Sequence, residues 1–311
     1  MKLNALRDFQ AVAERGSLRA AARQLGVAQP AMSRSIQELE KELGVTLFER
    51  RAKGVSLTSM GELFLRRTRA VRSELQRAQD EIAQARGAMH GQLRMCLSSV
   101  AHMALLPGAL RPFHERYPDV RLEIIDGVVP SVEAELLDGT MDLYIGPAPL
   151  DLSPRLEVEK LFDNHRAIFG RIGHPLSHAK SLAELVGAEW VTTSVTNRAE
   201  DELCPVFLRH GLPLPRLVVR GHSAFTFFFS IVQSDMLAML PVQWACAPLF
   251  SDSLQKIEVK EELRALPICI VRRVALPLTP AAEYFCALMR GAVERATGQE
   301  GEQRPGHDTS R

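Results

Sequence analysis

Arg34 and Gln37, in a run that also holds Gln29, Pro30 and Ser33, are the side chains whose types and spacing best support chemistry, and that chemistry is recognition, not bond making. A guanidinium matches guanine O6 and N7, a carboxamide matches adenine N6 and N7, and a proline ring can meet a thymine methyl in the major groove. Arg50, Arg51 and Lys53 follow closely and can reach phosphate. Taken singly, each of these residues reads as part of a solvated polar face. Their weight comes from the elements that would carry them.

Ser17 caps a helix predicted over residues 18–25 by accepting backbone N–H groups, and Gly26 suits the turn beyond it. Ala22 lets two helices cross closely, with Leu25 and Val27 as core residues at the corner. Pro30 starts the second helix, where its fixed φ and missing N–H cost nothing. Met32, Ile36, Leu39 and Leu43 recur at helical spacing, which assigns them to one buried stripe and leaves the opposite face to a partner. An earlier helix over residues 4–14 buries Leu6, Phe9, Val12 and Ala13, and residues 46–57 form a hairpin tipped by Ala52-Lys53-Gly54. The set facing double-stranded DNA is then Ser17, Gln29, Pro30, Ser33, Arg34, Gln37, Arg50, Arg51 and Lys53.

Either Thr58 or Ser59 can cap the next helix, Ser59 and Glu62 forming a capping box, and helical pattern continues to residue 88 without glycine or proline after Gly61. Phe64, Val71, Ala78 and Ala85 fall seven apart, with Thr68, Leu75, Ile82 and Met89 on the neighbouring position, which is a coiled-coil seam. Such a helix of about thirty residues spans about 45 Å, too long for the small head to cover. A homodimer through Phe64, Val71, Leu75, Ala78 and Ile82 is expected, against the competing reading that this stripe packs on its own chain's second domain.

The 311 residues are 46% apolar and 24% charged, ordinary for a soluble chain, and the net charge of +1 conceals an asymmetry. Residues 1–90 hold 16 Lys/Arg and 10 Asp/Glu, net +6, while residues 91–311 hold 22 and 27, net −5. Only the first part is electrostatically suited to DNA. No signal pattern precedes the first helix and no uncharged run reaches the roughly 18 residues a span needs, so a cytoplasmic protein without a membrane partner is expected. Five cysteines, at 96, 204, 246, 269 and 286, are odd in number and lack CxxC spacing, which argues against a disulfide framework or a zinc knuckle.

Beyond Gly91, short apolar strands alternate with helices, the pattern of parallel α/β sheets. Strands are predicted over residues 93–98, 120–125, 142–145, 167–170, 190–193, 217–220, 236–240 and 268–271, with a closing helix over 279–296 and a tail from Gly298 lacking apolar residues and expected to be disordered. Boundary signals near residues 162–165 and 266–268 divide this part into two lobes crossed twice by the chain. The domains are therefore a DNA-binding head at 1–58, a linker helix at 59–90, a two-lobed α/β domain at 91–297 (lobe I at 91–162 and 268–297, lobe II at 163–267) and the tail at 298–311.

Ligands gather where parallel strands end and helices begin, because free N–H groups there bind anionic oxygens. Ser98, Ser99 and Val100 take that place on lobe I and Val128, in the loop after the next strand, faces the same cleft; Thr193, Ser194 and Arg198 follow a strand of lobe II, and Phe225 supplies an apolar wall. Each could instead be a satisfied cap or core member. Hydroxyls, apolar surface and one arginine favour a small organic anion. His174 and His178 lie four apart, but Pro175 puts them in a loop, so metal ligation is not expected. No nucleophile-base grouping, P-loop or dinucleotide glycine pattern stands out, so neither an enzyme nor a cofactor is expected.

The N-terminal stretch closely resembles the winged helix-turn-helix of LysR-type transcriptional regulators through Phe9, Ser17, Ala21, Ala22, Leu25, Gln29, Pro30, Ala31, Ser33, Ile36, Leu39, Glu40, Leu43, Gly44, Leu47, Phe48, Arg50, Leu57, Thr58 and Gly61. A frequent Ser or Thr before the Gln-Pro pair is Ala28 here, so the recognition helix lacks that cap. Downstream the likeness is looser and rests on Leu106-Pro107, Phe113, Tyr117-Pro118, Leu137-Asp138-Gly139, Met141-Asp142-Leu143, His174-Pro175-Leu176 and Leu240-Pro241; where many relatives carry a glycine-rich stretch, this chain has Ser234-Asp235-Met236. The resemblance implies an effector domain similar to periplasmic binding proteins, an inverted-repeat operator, dimers that pair into a homotetramer, and RNA polymerase as a candidate further partner. Two rivals stand beside it. One is a metabolite-binding protein or enzyme whose head serves assembly; the other is a constitutive DNA binder with a vestigial cleft.

Overall fold

The computed structural model describes residues 1–51, 54–129, 131–149, 152–193, 200–221, 223–246, 250–275 and 277–302. Two compact units emerge, residues 1–79 with 138–140, and residues 80–137 with 141–311. In the first, Phe9 is fully buried at the centre of a core shared by Val12, Ala21, Met32, Ile36, Leu39, Leu47 and Leu65. Helices α1 (Leu3–Arg15), α2 (Leu18–Leu25) and α3 (Gln29–Leu43) supply most of it. Gly16, Gly26 and Gly44 end the three helices in left-handed conformations, and Ser17 Oγ accepts the Ala20 N–H at 3.4 Å. Ala28 caps α3 with no side-chain bond. Leu43, assigned to the buried stripe, is 37% exposed because it is the last residue of α3, where the core curves away.

Strands β1 (Phe48–Arg51) and β2 (Gly54–Leu57) form an antiparallel hairpin, and the Val55 N–H donates to the Gly16 carbonyl at 2.8 Å. Gly54 has φ +144, and a Cβ there would collide with the Gly16 carbonyl, so only glycine lets the hairpin lie on the α1–α2 turn. Helix α4 (Ser59–Ala85) follows. Its cap is Thr58, whose Oγ1 accepts the Gly61 N–H at 3.0 Å and donates to the Thr46 carbonyl at 2.7 Å; the capping box expected at Ser59 is not used. The helix stops at Ala85, short of the predicted residue 88, where Gly87 turns with φ +91 and Ala88 N–H closes on the Ala83 carbonyl.

The second unit holds two five-stranded sheets. Strand β3 (His90–Leu97) leads through a π-helical turn (Ala101–Leu105) into α5 (Leu106–Arg116); β4 (Asp119–Asp126), α6 (Glu133–Asp138), β5 (Leu143–Pro147) and β6 (Leu156–Phe162) follow. The chain then crosses into β7 (Arg166–Arg171), a 3-10 turn (Leu182–Leu185), β8 (Glu189–Thr193), α7 (Glu200–Arg209), β9 (Arg216–Gly221), α8 (Ala224–Val232), β10 (Met236–Pro241), α9 (Gln243–Cys246) and β11 (Leu254–Ile257). It returns as β12 (Ile268–Arg273) and ends on α10 (Pro280–Glu302), which runs past Gly298, where order was expected to stop. The sheet orders are β4-β3-β5-β12-β6 and β11-β7-β10-β8-β9.

Both sheets are mixed, which corrects the expectation of parallel ones. β3 runs parallel to β4 and β5, and β8 parallel to β9 and β10, but β7 and β12 are antiparallel to every neighbour. Each is the first strand after a crossing, so it enters its sheet from the junction and runs opposite to strands that end there. Leu93, Met95 and Leu97 of β3 face a core with Phe113, Phe285 and Met289, while Cys96 faces Leu136, Tyr144 and Val271 on the other side. That two-sided burial explains why Met95, Cys96 and Leu97 are apolar in succession and do not alternate. In the second sheet Trp190 meets Phe207 of α7, and Phe169 meets Phe227 and Ile231 of α8.

Candidate nucleic-acid interface and effector cleft

On α3, Met32, Ile36 and Leu39 point into the head while Gln29, Pro30, Arg34 and Gln37 are exposed and Ser33 is half-buried. Arg34 and Arg50 are exposed and carry no ion pair among the described residues, so both guanidinium groups are available to an anionic partner. Arg51 is tied down: its guanidinium pairs with Glu49 at 2.8 Å and donates to Ser56 Oγ at 3.0 Å. Ser17 spends its oxygen on capping α2. Lys53 lies outside the described residues.

Two residues have supporting roles that the sequence reading did not assign, although Glu40 is among those that carry the family resemblance. Glu40 Oε1 accepts the N–H groups of Leu47 (2.6 Å) and Phe48 (3.1 Å), which fastens the hairpin to the recognition helix. Asp8, buried on α1, accepts the Ser35 hydroxyl at 2.8 Å and so fixes α3 against α1. Nothing in the spacing distinguishes Glu40 from its neighbours Glu38 and Glu42; only the fold brings it to the two orphan donors.

Along α4, Val71 (44%), Leu75 (42%) and Ile82 (63%) are exposed, as is Ala78. Phe64 departs from the predicted seam. Its ring lies 5.1 Å from that of Phe9, edge-on, inside the head. Met89, beyond the helix end, packs against the core of the first sheet instead. The exposed apolar stripe is therefore shorter than the heptad pattern implied, because both of its ends are claimed by nearby cores.

At the end of β3, Ser98 is buried, donates its N–H to the Ile145 carbonyl at 2.9 Å and accepts the Ala101 N–H on Oγ at 3.3 Å. Ser98 is thus a cap, and the Val100 side chain is core. Ser99 is half-buried, and the first helical turn leaves the Ser99 and Val100 N–H groups without intrahelical acceptors. Val128 is half-buried, and its carbonyl accepts the Ser131 hydroxyl at 2.5 Å. Thr193 ends β8, and Phe225 of α8 is 66% exposed. Ser194 and Arg198 lie outside the described residues.

The structure adds His102, whose Nδ1 lies 3.0 Å from the Ser98 carbonyl and 3.3 Å from Asp126, and Asn164 at the first crossing. Asn164 is 4% exposed and neither amide atom has a partner among the described residues; beside it the Val242 N–H donates to the His165 carbonyl at 3.0 Å. A lone Asn in a charged loop carries no sequence signal. Met103 of the π-helical turn packs on the core of the second sheet, so the two lobes meet here.

His174 is buried, with Nε2 donating to the Asp235 carbonyl and Nδ1 accepting the Leu176 N–H, each at 3.0 Å. Both ring nitrogens are thus engaged by backbone. Burial, aided by Asp126, pushes the Cys96 thiol up to about 12, and burial does the same to Cys286, so neither supplies thiolate near neutral pH. Among the described residues no group of His, Cys, Asp and Glu is set to hold a metal ion, and no helix is long and apolar enough to cross a membrane.

Comparison with known families matches residues 3–62 to "Bacterial regulatory helix-turn-helix protein, lysR family" and residues 86–294 to "LysR substrate binding domain". The "SDS degradation transcriptional activation protein" of Pseudomonas sp. (strain ATCC 19151) is 30% identical over 298 residues, covering 94% of this chain and 95% of that protein. The HTH-type transcriptional regulator TdcA of Escherichia coli K12 is 26% identical over 256 residues, covering 82% and 81%. Among solved structures, the LysR family regulator CbnR superposes with a TM-score of 0.70 at 24% identity, covering 94% and 99% of the two chains, and CbnR in complex with its target DNA superposes with 0.69. The described head, linker helix and paired sheets thus have their counterparts in one group of proteins, and the chain belongs to the LysR family of DNA-binding transcriptional regulators, which are not enzymes.

Proposed function

We propose that this regulator binds an inverted-repeat operator as a homodimer joined by α4, that dimers pair into a homotetramer in the cytoplasm, and that a small organic anion between the two lobes controls how the heads engage DNA. The observation that carries the effector reading is the carboxyl end of β3. There Ser99 and Val100 start a helix with free N–H groups, the arrangement that receives carboxylate or phosphate oxygens. The unpaired Asn164 amide at the lobe junction supports a polar second contact. At the heads, Gln29, Pro30, Ser33, Arg34 and Gln37 read base edges, while Ser17, Arg50, Arg51 and Lys53 lie along phosphate. Val71, Leu75, Ala78 and Ile82 supply the dimer seam, and their exposure supports that assignment. An anion shifts the equilibrium only if it binds one lobe closure more tightly than the other. RNA polymerase is the partner through which altered DNA engagement would act on transcription.

The test is a footprinting titration on DNA immediately upstream of the coding sequence, with and without a panel of small organic acids. Protection that shortens or shifts with one acid is expected. Protection unaffected by every acid would leave a DNA-binding protein without effector control.

A further inference from the structure

Asp80 and Gln84 occupy the last turns of α4, a helix whose neighbouring apolar residues are exposed, yet they are only 4% and 8% exposed themselves. Gln84 Nε2 donates to the His90 carbonyl at 3.1 Å, and its Oε1 accepts the Ala281 N–H, at the start of α10, at 3.0 Å. Asp80 Oδ2 accepts the Gln92 N–H at 3.2 Å. Gly91 lies between these two anchors with φ +145, and a Cβ there would stand 2.7 Å from Gln84 Nε2 and 3.2 Å from the Asp80 carboxylate. The strand can therefore approach the helix this closely only because residue 91 is glycine. Two turns earlier Ser73 donates to the Gly139 carbonyl at 2.7 Å, and Arg77 donates to the same oxygen.

Ser73, Arg77, Asp80 and Gln84 recur at i, i+4, i+7 and i+11 and so form one stripe. Val71, Leu75, Ala78 and Ile82 repeat that spacing two residues earlier, about 200° around the helix. One face is polar and spent on this chain's own backbone; the opposite face is apolar and open. The covalent joint after the helix, Arg86-Gly87-Ala88, turns at a glycine with φ +91, and the Gly87 and Ala88 N–H groups donate back to the Gln84 and Ala83 carbonyls of α4, so those bonds do not tie the helix to β3 or α10.

We infer that Gln84, with Asp80, is the positioning residue that locks the end of α4 to β3 and α10, so that movement of the first lobe reaches the seam as rotation of the helix and is not absorbed at the Gly87 turn. This rests on the proposed effector-controlled reading. Because coupling between sites is reciprocal, DNA can serve as the probe in place of an unidentified effector.

Hydrogen exchange is measured on the full-length protein with and without saturating duplex from upstream of its coding sequence, for the natural chain, Gln84→Met, which keeps the side-chain length but loses the bonds, and Asp80→Leu, which is close in size but cannot accept the Gln92 N–H. In the natural chain DNA is expected to slow exchange in β3 and at the start of α10. In both variants that slowing falls by about fivefold or more while DNA affinity changes by less, the low end of ordinary coupling factors. A variant that merely loosened the fold would speed exchange there with and without DNA alike. Slowing retained in both variants, or absent from the natural chain at measured saturation, overturns the inference and leaves DNA binding intact. Failure of the natural chain to bind the duplex even at low salt would instead overturn the operator reading on which the inference rests.

Discussion

Arg34 and Arg50 are both exposed cations on the head, yet they are assigned different work and so should fail differently. Arg34→Ala is expected to cost about 1–3 kcal/mol of discrimination at one base position. Arg50→Ala should weaken all duplexes alike and reduce the salt slope by about one. Titrations on specific and scrambled duplexes at several salt concentrations separate the two; equal loss on both duplexes for Arg34→Ala would remove it from base reading. Residue types and helical spacing were enough to put Arg34 and Gln37 on the exposed face of α3. They were silent on Glu40, Asp8 and Asn164, because those roles depend on donors or voids brought from 7 to 27 residues away or from another lobe.

At the scale of elements, α3 begins at Ala28 with no side-chain cap. Ala28→Ser supplies an acceptor for an orphan N–H and is expected to raise head stability by about 1 kcal/mol. Thermal melts of residues 1–90 or of the full chain would register it; an unchanged melt would mean the N–H groups are already satisfied by solvent. For α4, Leu75→Glu with Ile82→Glu places two carboxylates on the exposed apolar face. Analytical ultracentrifugation is expected to show the tetramer reduced to dimers held by the second interface, and an unchanged oligomer would place the seam elsewhere. The heptad repeat announced this face but overran it at Phe64 and Met89, since periodicity does not say which partner claims a residue. Strands β6 and β11 went unpredicted for a related reason: LEVEKLF and LQKI occupy sheet edges, where one side faces water and charge is tolerated.

Over the whole molecule, the closing helix α10 is tied back to the first lobe by Arg290 and Glu159 of β6, paired at 2.6 and 2.7 Å. The Arg290 hydrogen bond holds the Glu159 carboxyl below its ordinary range. A depressed carboxylate stabilises the fold above its unfolded value, near about 4.3, and that contribution is lost as pH falls through the folded value. Glu159→Gln should therefore lower the melting temperature at neutral pH and flatten its decline below about pH 4; parallel curves for the two proteins would show that the pair contributes nothing.

The chain by itself determined what is local: three helices and a hairpin, the polar face of α3, the positive head and negative remainder, and most strands of a two-lobed α/β part. These follow from periodicities and caps that act within a few residues, so they are written where they operate. Only the tertiary structure decided which strands run antiparallel, which apolar residues of α4 stay exposed, and that Asp80 and Gln84 are buried against β3 and α10. Those outcomes depend on hydrogen bonds and packing between residues as far apart as Gln84 and Ala281. No local pattern encodes such a pairing, because its free energy exists only once the chain between has folded.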